Sequence, residues 1–231
     1  MSVSVPQPIL ISIEGDIGAG KTTLIDALKK SHPNWHFIDE PVGQWIALKS
    51  TDGTNLLEHF YKDQERWSYT FQNCALLTRA MNIKQKIDDW KEAAAENPEI
   101  AKHNVFITER CLETDFFVFA KMLHDDGKMN LMEWDLYKLW YTYVKSLSYP
   151  LAGIVYVSTP PEICAERIGI RGRKGEENIP LTYLRNLDKY QREWLYGKEN
   201  NIQVMKYINY GESQHSSKSV VKFIEMVQPY E

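Results

Sequence analysis

Three cysteines in 231 residues, Cys74, Cys111 and Cys164, are too few and too scattered for a disulfide framework or a zinc site. A reducing compartment is the simpler setting. The histidines make no H-x-x-x-H pair and read as structural or solvated. Positive charge is not in excess: 27 Lys and Arg against 31 Asp and Glu give a net charge of −4. That balance argues against a polynucleotide partner, which would select a basic face. No stretch approaches the roughly 18 apolar residues of a membrane span, so no membrane partner is expected. Only eight residues precede the first apolar run, without an Arg-rich amphipathic stretch or an apolar signal core. A cytoplasmic location is therefore expected, with a nuclear one as the alternative. There is no repeat, low-complexity tract or interdomain linker, and a single domain over residues 1–231 follows.

What is present begins at the N-terminus. The apolar run Ile9–Ile13 leads into Gly15, Asp16, Ile17, Gly18, Ala19, Gly20, Lys21 and Thr22, and then into the helix-like run that starts at Thr23. This is strand, glycine-rich loop, helix, with the G-x-x-x-x-G-K-[ST] spacing of a P-loop. Glycines let successive N–H groups turn inward around phosphate oxygens, and the helix N-terminus adds partial positive charge. Lys21 reaches the β- and γ-phosphates, and the Thr22 hydroxyl is a ligand for Mg²⁺. A nucleoside triphosphate, ATP with Mg²⁺, is the expected phosphate donor.

Five short runs rich in Ile and Val read as buried parallel strands: Ile9–Ile13, Trp35–Ile38, Val105–Thr108, Gly153–Val157 and Gln203–Ile208. Helical patterns separate them, at about 112–124, 131–145, 161–170, 181–196 and 216–227. The span from Asn55 to Glu96 is very long for one globular helix. A break near Asp88 is expected there, with Asn55 or Thr54 as the N-cap. The fold class is α/β, a five-stranded doubly wound parallel sheet of the P-loop kinase type, with ligands at the carboxyl ends of the strands.

Three further constellations carry chemistry. The second strand ends in Asp39-Glu40-Pro41, which places Glu40 either as a general base or as a solvated loop acid. The third ends in Glu109-Arg110, either a Mg²⁺ and phosphate pair or a surface ion pair. The third is arginine-rich: Arg167, Arg171, Arg173 and Lys174, interleaved with glycines and followed by Glu176 and Glu177. It reads as a lid at about 167–178 that closes over the triphosphate, rather than as a solvated basic loop.

Together these blocks resemble the deoxynucleoside kinases, on the deoxycytidine and deoxyguanosine kinase side of that family. The resemblance runs from Ile9 to about Trp194. It rests on the P-loop, Glu40-Pro-Val42 with Trp45, Tyr61 with the Glu65–Gln72 block, Glu109-Arg110 with Asp115, Arg171-Gly-Arg173 and Ile179-Pro-Leu181. It implies that Glu40 is the general base for the sugar 5′-hydroxyl and that Arg110 helps hold the base-catalysing and phosphate region. It further implies Thr22 and Glu109 at Mg²⁺, Tyr61 and Glu176 at the 3′-hydroxyl, and Arg167, Arg171 and Arg173 at the phosphates. Gln72, Arg79 and Asp115 would read the base edge, Phe71 and Phe119 would sandwich the ring, and Trp45 would line the pocket. A homodimer built from two helices per subunit, and feedback inhibition by a triphosphate, are implied in the same way. Cys111 stands where the family usually has serine, and Gly175 where many relatives carry an acid.

Spacing adds independent support. Tyr61, Gln72 and Arg79 lie close to whole helical turns apart, and Asp115 and Phe119 are four apart, so each set is expected to share a helix face. Arg79 only donates hydrogen bonds and ionised Asp115 only accepts them. Cytosine and adenine each pair an exocyclic amine with a ring-nitrogen acceptor, and guanine offers O6 and N7 to Arg79. Thymine, with O4 and N3–H, fits less well, and polar mismatches of this kind discriminate by roughly 10⁴ or more. The expected substrates are deoxyadenosine, deoxycytidine or deoxyguanosine in preference to thymidine. A nucleoside monophosphate kinase is the competing enzyme, disfavoured because Glu40 is a poor neighbour for a substrate phosphate. A nucleotide-switched binding protein would need an N/T-K-x-D motif, and Asn82-Ile-Lys-Gln does not supply it.

Overall fold

Every one of the five apolar runs becomes a strand in the computed structural model, which describes residues 5–173, 176, 179–209 and 217–227. Lys174, Gly175 and Glu177 of the arginine-rich segment, the loop residues 210–216 and the C-terminal residues 228–231 lie outside the described residues. In chain order the elements are β1 (Ile9–Glu14), α1 (Lys21–Ser31), β2 (His36–Ile38), α2 (Val42–Ala47), α3 (Leu56–Lys62), α4 (Gln64–Glu96) and α5 (Pro98–Ala101). Then come β3 (Val105–Glu109), α6 (Leu112–Thr114), a π-helical turn (Asp115–Ala120), α7 (Lys121–Asp125) and α8 (Leu131–Ser146). The chain continues through β4 (Gly153–Ser158), α9 (Pro161–Arg171), α10 (Leu181–Tyr196), β5 (Val204–Ile208) and α11 (Ser217–Met226).

All strand pairs are parallel, in the order β2-β3-β1-β4-β5. From β1 the chain goes to the edge strand β2, returns to β3 beside β1 and then crosses to β4 and β5 on the other side, so the topological switch falls at β1, where a doubly wound sheet binds ligands. Ile13 pairs with Glu109 and Glu14 with Tyr156, which brings the carboxyl ends of β1, β3 and β4 level with the glycine-rich loop. β4 is buried along its whole length. One apolar cluster contains Leu10, Phe106 and Ile154, and another contains Ile11, Ile107 and Val155. These alternate along the strands, as a sheet covered on both faces requires. A third cluster, including Trp45, Phe60, Phe71 and Tyr137, forms the floor beneath the site described below.

The long helical span breaks at Asp63 rather than near Asp88. Asn55 starts α3 with a reciprocal capping box to Glu58 at 2.9 and 3.0 Å. Asp63, in a non-helical conformation, accepts from Arg66 N at 3.1 Å and starts α4 anew. Asp88 stays helical because Lys84, one turn earlier, and the Tyr149 hydroxyl both bond its carboxylate at 2.6 Å. The expectation that helical periodicity aligns Tyr61 with Gln72 and Arg79 therefore fails in its premise, since Tyr61 belongs to a different helix. Two short helices, α2 and α5, carry no amphipathic period long enough to be anticipated.

Candidate active site

Gly15 and Gly20 show why the loop after β1 has to be glycine-rich. At Gly15 (φ 142°) a Cβ would lie 2.5 Å from the Val157 carbonyl. At Gly20 (φ 96°), the residue before α1, a Cβ would collide with the Asn209 amide. Both positions are left-handed as well as crowded, so a side chain is excluded twice over. The Ala19 carbonyl turns away from the groove and accepts from Thr159 Oγ1, Arg167 Nη1 and Asn209 Nδ2 at 2.9, 3.1 and 2.7 Å. Within the turn, Ala19 N–H donates to the Asp16 carbonyl at 3.1 Å.

Lys21 is buried and donates to the carbonyls of Gly15 and Asp16 at 3.2 and 2.9 Å, with Glu109 Oε1 at 3.7 Å. Burial, followed by the Arg110 charge, holds its pKa below the usual lysine value, while Glu109 and Glu40 oppose the shift. Thr22 Oγ1 donates to Glu109 Oε2 at 3.0 Å. A hydroxyl and a carboxylate side by side at a P-loop are oxygen donors suited to Mg²⁺, which keeps waters and substrate oxygens for its other positions. Among the described residues no three His, Cys, Asp or Glu side chains cluster as a metal site.

Two hollows meet here. A groove of about 340 Å³ is lined by Gly18, Gly20, Lys21, Thr22, Thr23, Glu109, Arg167, Arg171 and Arg173. A deeper cavity of about 330 Å³ shares Gly18, Lys21, Thr22, Glu109, Arg171 and Arg173 with it. The deeper cavity continues past Glu40 and Arg110 to Trp45, Tyr61, Phe71, Gln72, Arg79, Asp115, Phe119 and Glu176. Its size suits a small ligand in an apolar pocket with a few fixed polar groups. Every base- and sugar-contacting candidate from the sequence lines it. Gly15, Asp16 and Ala19 line neither hollow; Asp16 and Ala19 are buried behind the loop. Arg167 reaches the groove, but its guanidinium also bonds the carbonyls of Ala19 and Asn209.

At the junction of the hollows, Glu40 Oε1 accepts from Arg110 Nε at 3.1 Å and from Arg79 Nη2 at 3.4 Å. Burial pulls the Glu40 pKa upward, but Arg110, Arg79 and Lys21 together outweigh it and hold the carboxyl below its usual range. Arg110 sits at φ 67°, the one described non-glycine residue with positive φ, and aims its guanidinium at Glu40 and over the Phe119 ring at 4.8 Å. Backbone strain of this kind clusters at functional sites. Deeper in, Arg79 grips Asp115 through Nε at 2.9 Å and Nη2 at 3.3 Å, and donates Nη1 to the Glu109 carbonyl at 2.7 Å. Burial works against the Arg79 charge, yet Asp115 and Glu40 more than restore it and raise its pKa. Asp115 opens the π-helical turn, a wider coil that places Asp115 and Phe119 on one side.

Phe71 stacks on Phe60 at 4.6 Å and meets Trp45 edge-on at 5.2 Å, while Trp45 Nε1 donates to Thr78 Oγ1 at 3.0 Å. Glu176 is buried and pairs with Arg171 and with Arg173, the latter at 3.1 Å. Cys111, in the serine position, is a buried thiol near Thr114 Oγ1, and burial raises its pKa well above the ordinary value. The sequence did not single out Leu57, Phe60, Ala75 or Tyr183, which also line the cavity. Ala75, four residues from both Phe71 and Arg79, was visible from helical spacing; Tyr183 had no such signal.

A groove at the P-loop that opens onto a second cavity, on a parallel sheet with its P-loop at the switch point, defines a P-loop kinase. Comparison with known proteins narrows the class: the family described as deoxynucleoside kinase matches residues 11–228, and the chain belongs to that family of phosphotransferases. Deoxycytidine kinase 2 of Gallus gallus is 37% identical over 207 residues, 83% of this chain and 76% of that protein. Deoxycytidine kinase of Homo sapiens is 36% identical, over 80% of this chain and 74% of its own length. The mitochondrial deoxyguanosine kinase of Xenopus laevis is 34% identical, over 83% and 75%.

Proposed function

We propose that this kinase transfers the γ-phosphoryl group of ATP to the 5′-hydroxyl of deoxyadenosine, deoxycytidine or deoxyguanosine in preference to thymidine, as a nucleotide-salvage enzyme. The observation that carries this is Glu40, held by Arg110 and Arg79 in the cavity that shares Lys21, Thr22 and Glu109 with the phosphate groove. In this account the 5′-oxygen attacks the γ-phosphorus, its proton passes to Glu40, and the electron pair of the broken β–γ bridge leaves on ADP. Positioning and electrostatics supply most of the rate in such transfers. The turn N–H groups, Lys21, Arg171 and Arg173 hold the phosphates, with Arg167 at the groove wall and the segment from 167 onward acting as a lid. Thr22 and Glu109 would hold Mg²⁺, which when bound neutralises charge on the triphosphate.

The acceptor side follows the same logic. Tyr61 and Glu176 hold the 3′-hydroxyl. Phe71 and Phe119 enclose the base, Trp45 walls it, and Gln72, Arg79 and Asp115 read its edge. Arg79 and Asp115 are already paired, so the base edge must complement a fixed donor and acceptor rather than recruit a free charge.

We further propose a homodimer. Leu131, Met132, Leu136, Leu139, Trp140 and Tyr143 on α8 are exposed, beside Leu77 and Met81 of α4, and α4 and α8 pack together. An exposed apolar face of this extent is typical of an interface. No described helix is long and apolar enough to cross a membrane. The test of function is identification of the product. Incubation with γ-labelled ATP, Mg²⁺ and deoxycytidine should yield a labelled 5′-monophosphate. Label transferred only to deoxynucleoside monophosphates would overturn the assignment.

A further inference from the structure

Among the described cavity-lining residues, three buried polar side-chain atoms have no hydrogen-bond partner: Gln72 Oε1, Arg110 Nη1 and the Tyr183 hydroxyl. Gln72 belongs with Arg79 at the base edge. Arg110 bonds Glu40 through Nε, and Tyr183 lines the same cavity. Tyr183 is in the first turn of α10, directly after the arginine-rich segment, and its ring packs against both sheet-face clusters. A phenylalanine would pack as well there without leaving a buried hydroxyl unsatisfied, which costs about 1–3 kcal/mol. The hydroxyl therefore needs a partner that the described residues do not supply.

The neighbours indicate which one. Arg110 is the charge that acts most strongly on Tyr183, and Tyr183 in turn is the group that acts most strongly on Tyr61. Arg110 spends Nε on Glu40 and also lowers the Lys21 pKa, so it stands between the acceptor side and the phosphate side. Its free Nη1 can only donate. Burial raises the phenol pKa of Tyr183 far above neutrality, so it too is a donor at working pH. Glu40 and Glu176, the cavity carboxylates whose charges act on Tyr61, are already paired with Arg. Two unused donors at the point of transfer match an anionic oxygen with several lone pairs.

We propose that Tyr183 is a phosphoryl-binding residue: with Arg110 Nη1 it donates to an oxygen of the phosphoryl group in transfer and of the 5′-monophosphate product. This rests on the phosphoryl transfer proposed above. The phenol keeps its proton throughout; the proton released by the 5′-hydroxyl still goes to Glu40, and the bond broken is still the β–γ bridge.

Tyr183→Phe removes only the hydroxyl, and its melting temperature should equal or exceed that of the wild type. Calorimetry with ADP and Mg²⁺ present would compare binding of deoxycytidine with binding of its 5′-monophosphate, beside steady-state kinetics. The expected result is a kcat about 10- to 100-fold lower and a monophosphate affinity at least tenfold weaker, with deoxycytidine affinity unchanged within about twofold. Equal losses for both ligands would make Tyr183 a sugar contact and overturn the proposal, as would unchanged kcat and monophosphate affinity. A wild-type protein that does not phosphorylate deoxynucleosides would instead overturn the function proposed above. An active wild type with an indifferent variant overturns only the role of Tyr183.

Discussion

Glu40 Oε1 accepts from Arg110 Nε at 3.1 Å, joining the loop after β2 to the residue that follows β3. The arrangement keeps a half-buried carboxylate ionised and places it beside two buried guanidinium groups. Because Arg110, Arg79 and Lys21 together hold the Glu40 pKa below its usual range despite burial, the base is ready well into the acidic range. The acid limb of kcat/KM should therefore fall below the ordinary glutamate pKa of about 4.3. A pH–rate profile in a stable buffer series checks this, and a limb near pH 6 would contradict it.

Arg79 and Asp115 form a buried bidentate pair. Removing one partner leaves the other charge stranded, so Asp115→Ala should destabilise the fold by about 3–5 kcal/mol. The Arg79→Met/Asp115→Ala double variant should recover part of that loss. It should also narrow the preference for deoxycytidine over thymidine by at least about tenfold, since the fixed donor and acceptor are gone. Urea denaturation of the single and double variants, with paired substrate assays, measures both effects.

Asp16 is the second residue of the P-loop, with both carboxylate oxygens buried and, among the described residues, unpartnered. Burial, then the Asp188 charge, pushes its pKa up to about 7, against the opposing charges of Arg110, Lys21 and Arg192. The sign follows from linkage: between about pH 4 and 7 the folded chain binds this proton and the unfolded chain does not, so stability falls as pH rises. The cost at full ionisation is about 4 kcal/mol. Asp16→Asn removes the titration, so its stability relative to wild type should rise between pH 5 and pH 8. Thermal melts at the two values test this, and a pH-independent difference would contradict it.

On α8, Leu139 and Trp140 are 67% and 47% exposed. A charge there should be harmless to a monomer and disruptive to a dimer. Leu139→Glu is expected to halve the mass seen by sedimentation without lowering the melting temperature of the subunit. Wild-type protein sedimenting as a monomer would contradict the homodimer.

Much of this was legible before the structure. Ile9–Ile13 and Gly153–Val157 were visible as strands because a sheet buried on both faces demands continuous apolar residues, and the structure extends each by one residue. That Gln72 and Arg79 of α4 share the cavity-lining face was legible because helical spacing aligned two polar residues on an otherwise apolar face. Tyr61 reached the cavity by another route: Asp63 caps a new helix, and no periodicity carries across a cap. The π-helical turn at Asp115 was hidden, since its sequence reads as ordinary helix. Tyr183 was invisible because what distinguishes it is an unpaired hydroxyl facing a cavity, a property of packing rather than of pattern.

The most direct test of the account is a steady-state assay with ATP and Mg²⁺ across the four natural deoxynucleosides and their monophosphates, with Glu40→Gln alongside. The account predicts turnover of deoxycytidine, deoxyadenosine or deoxyguanosine well above that of thymidine, reduced about 10²- to 10⁴-fold in the variant. Equal rates on thymidine and deoxycytidine would contradict the specificity. Turnover of monophosphates alone, or full activity in Glu40→Gln, would contradict the mechanism.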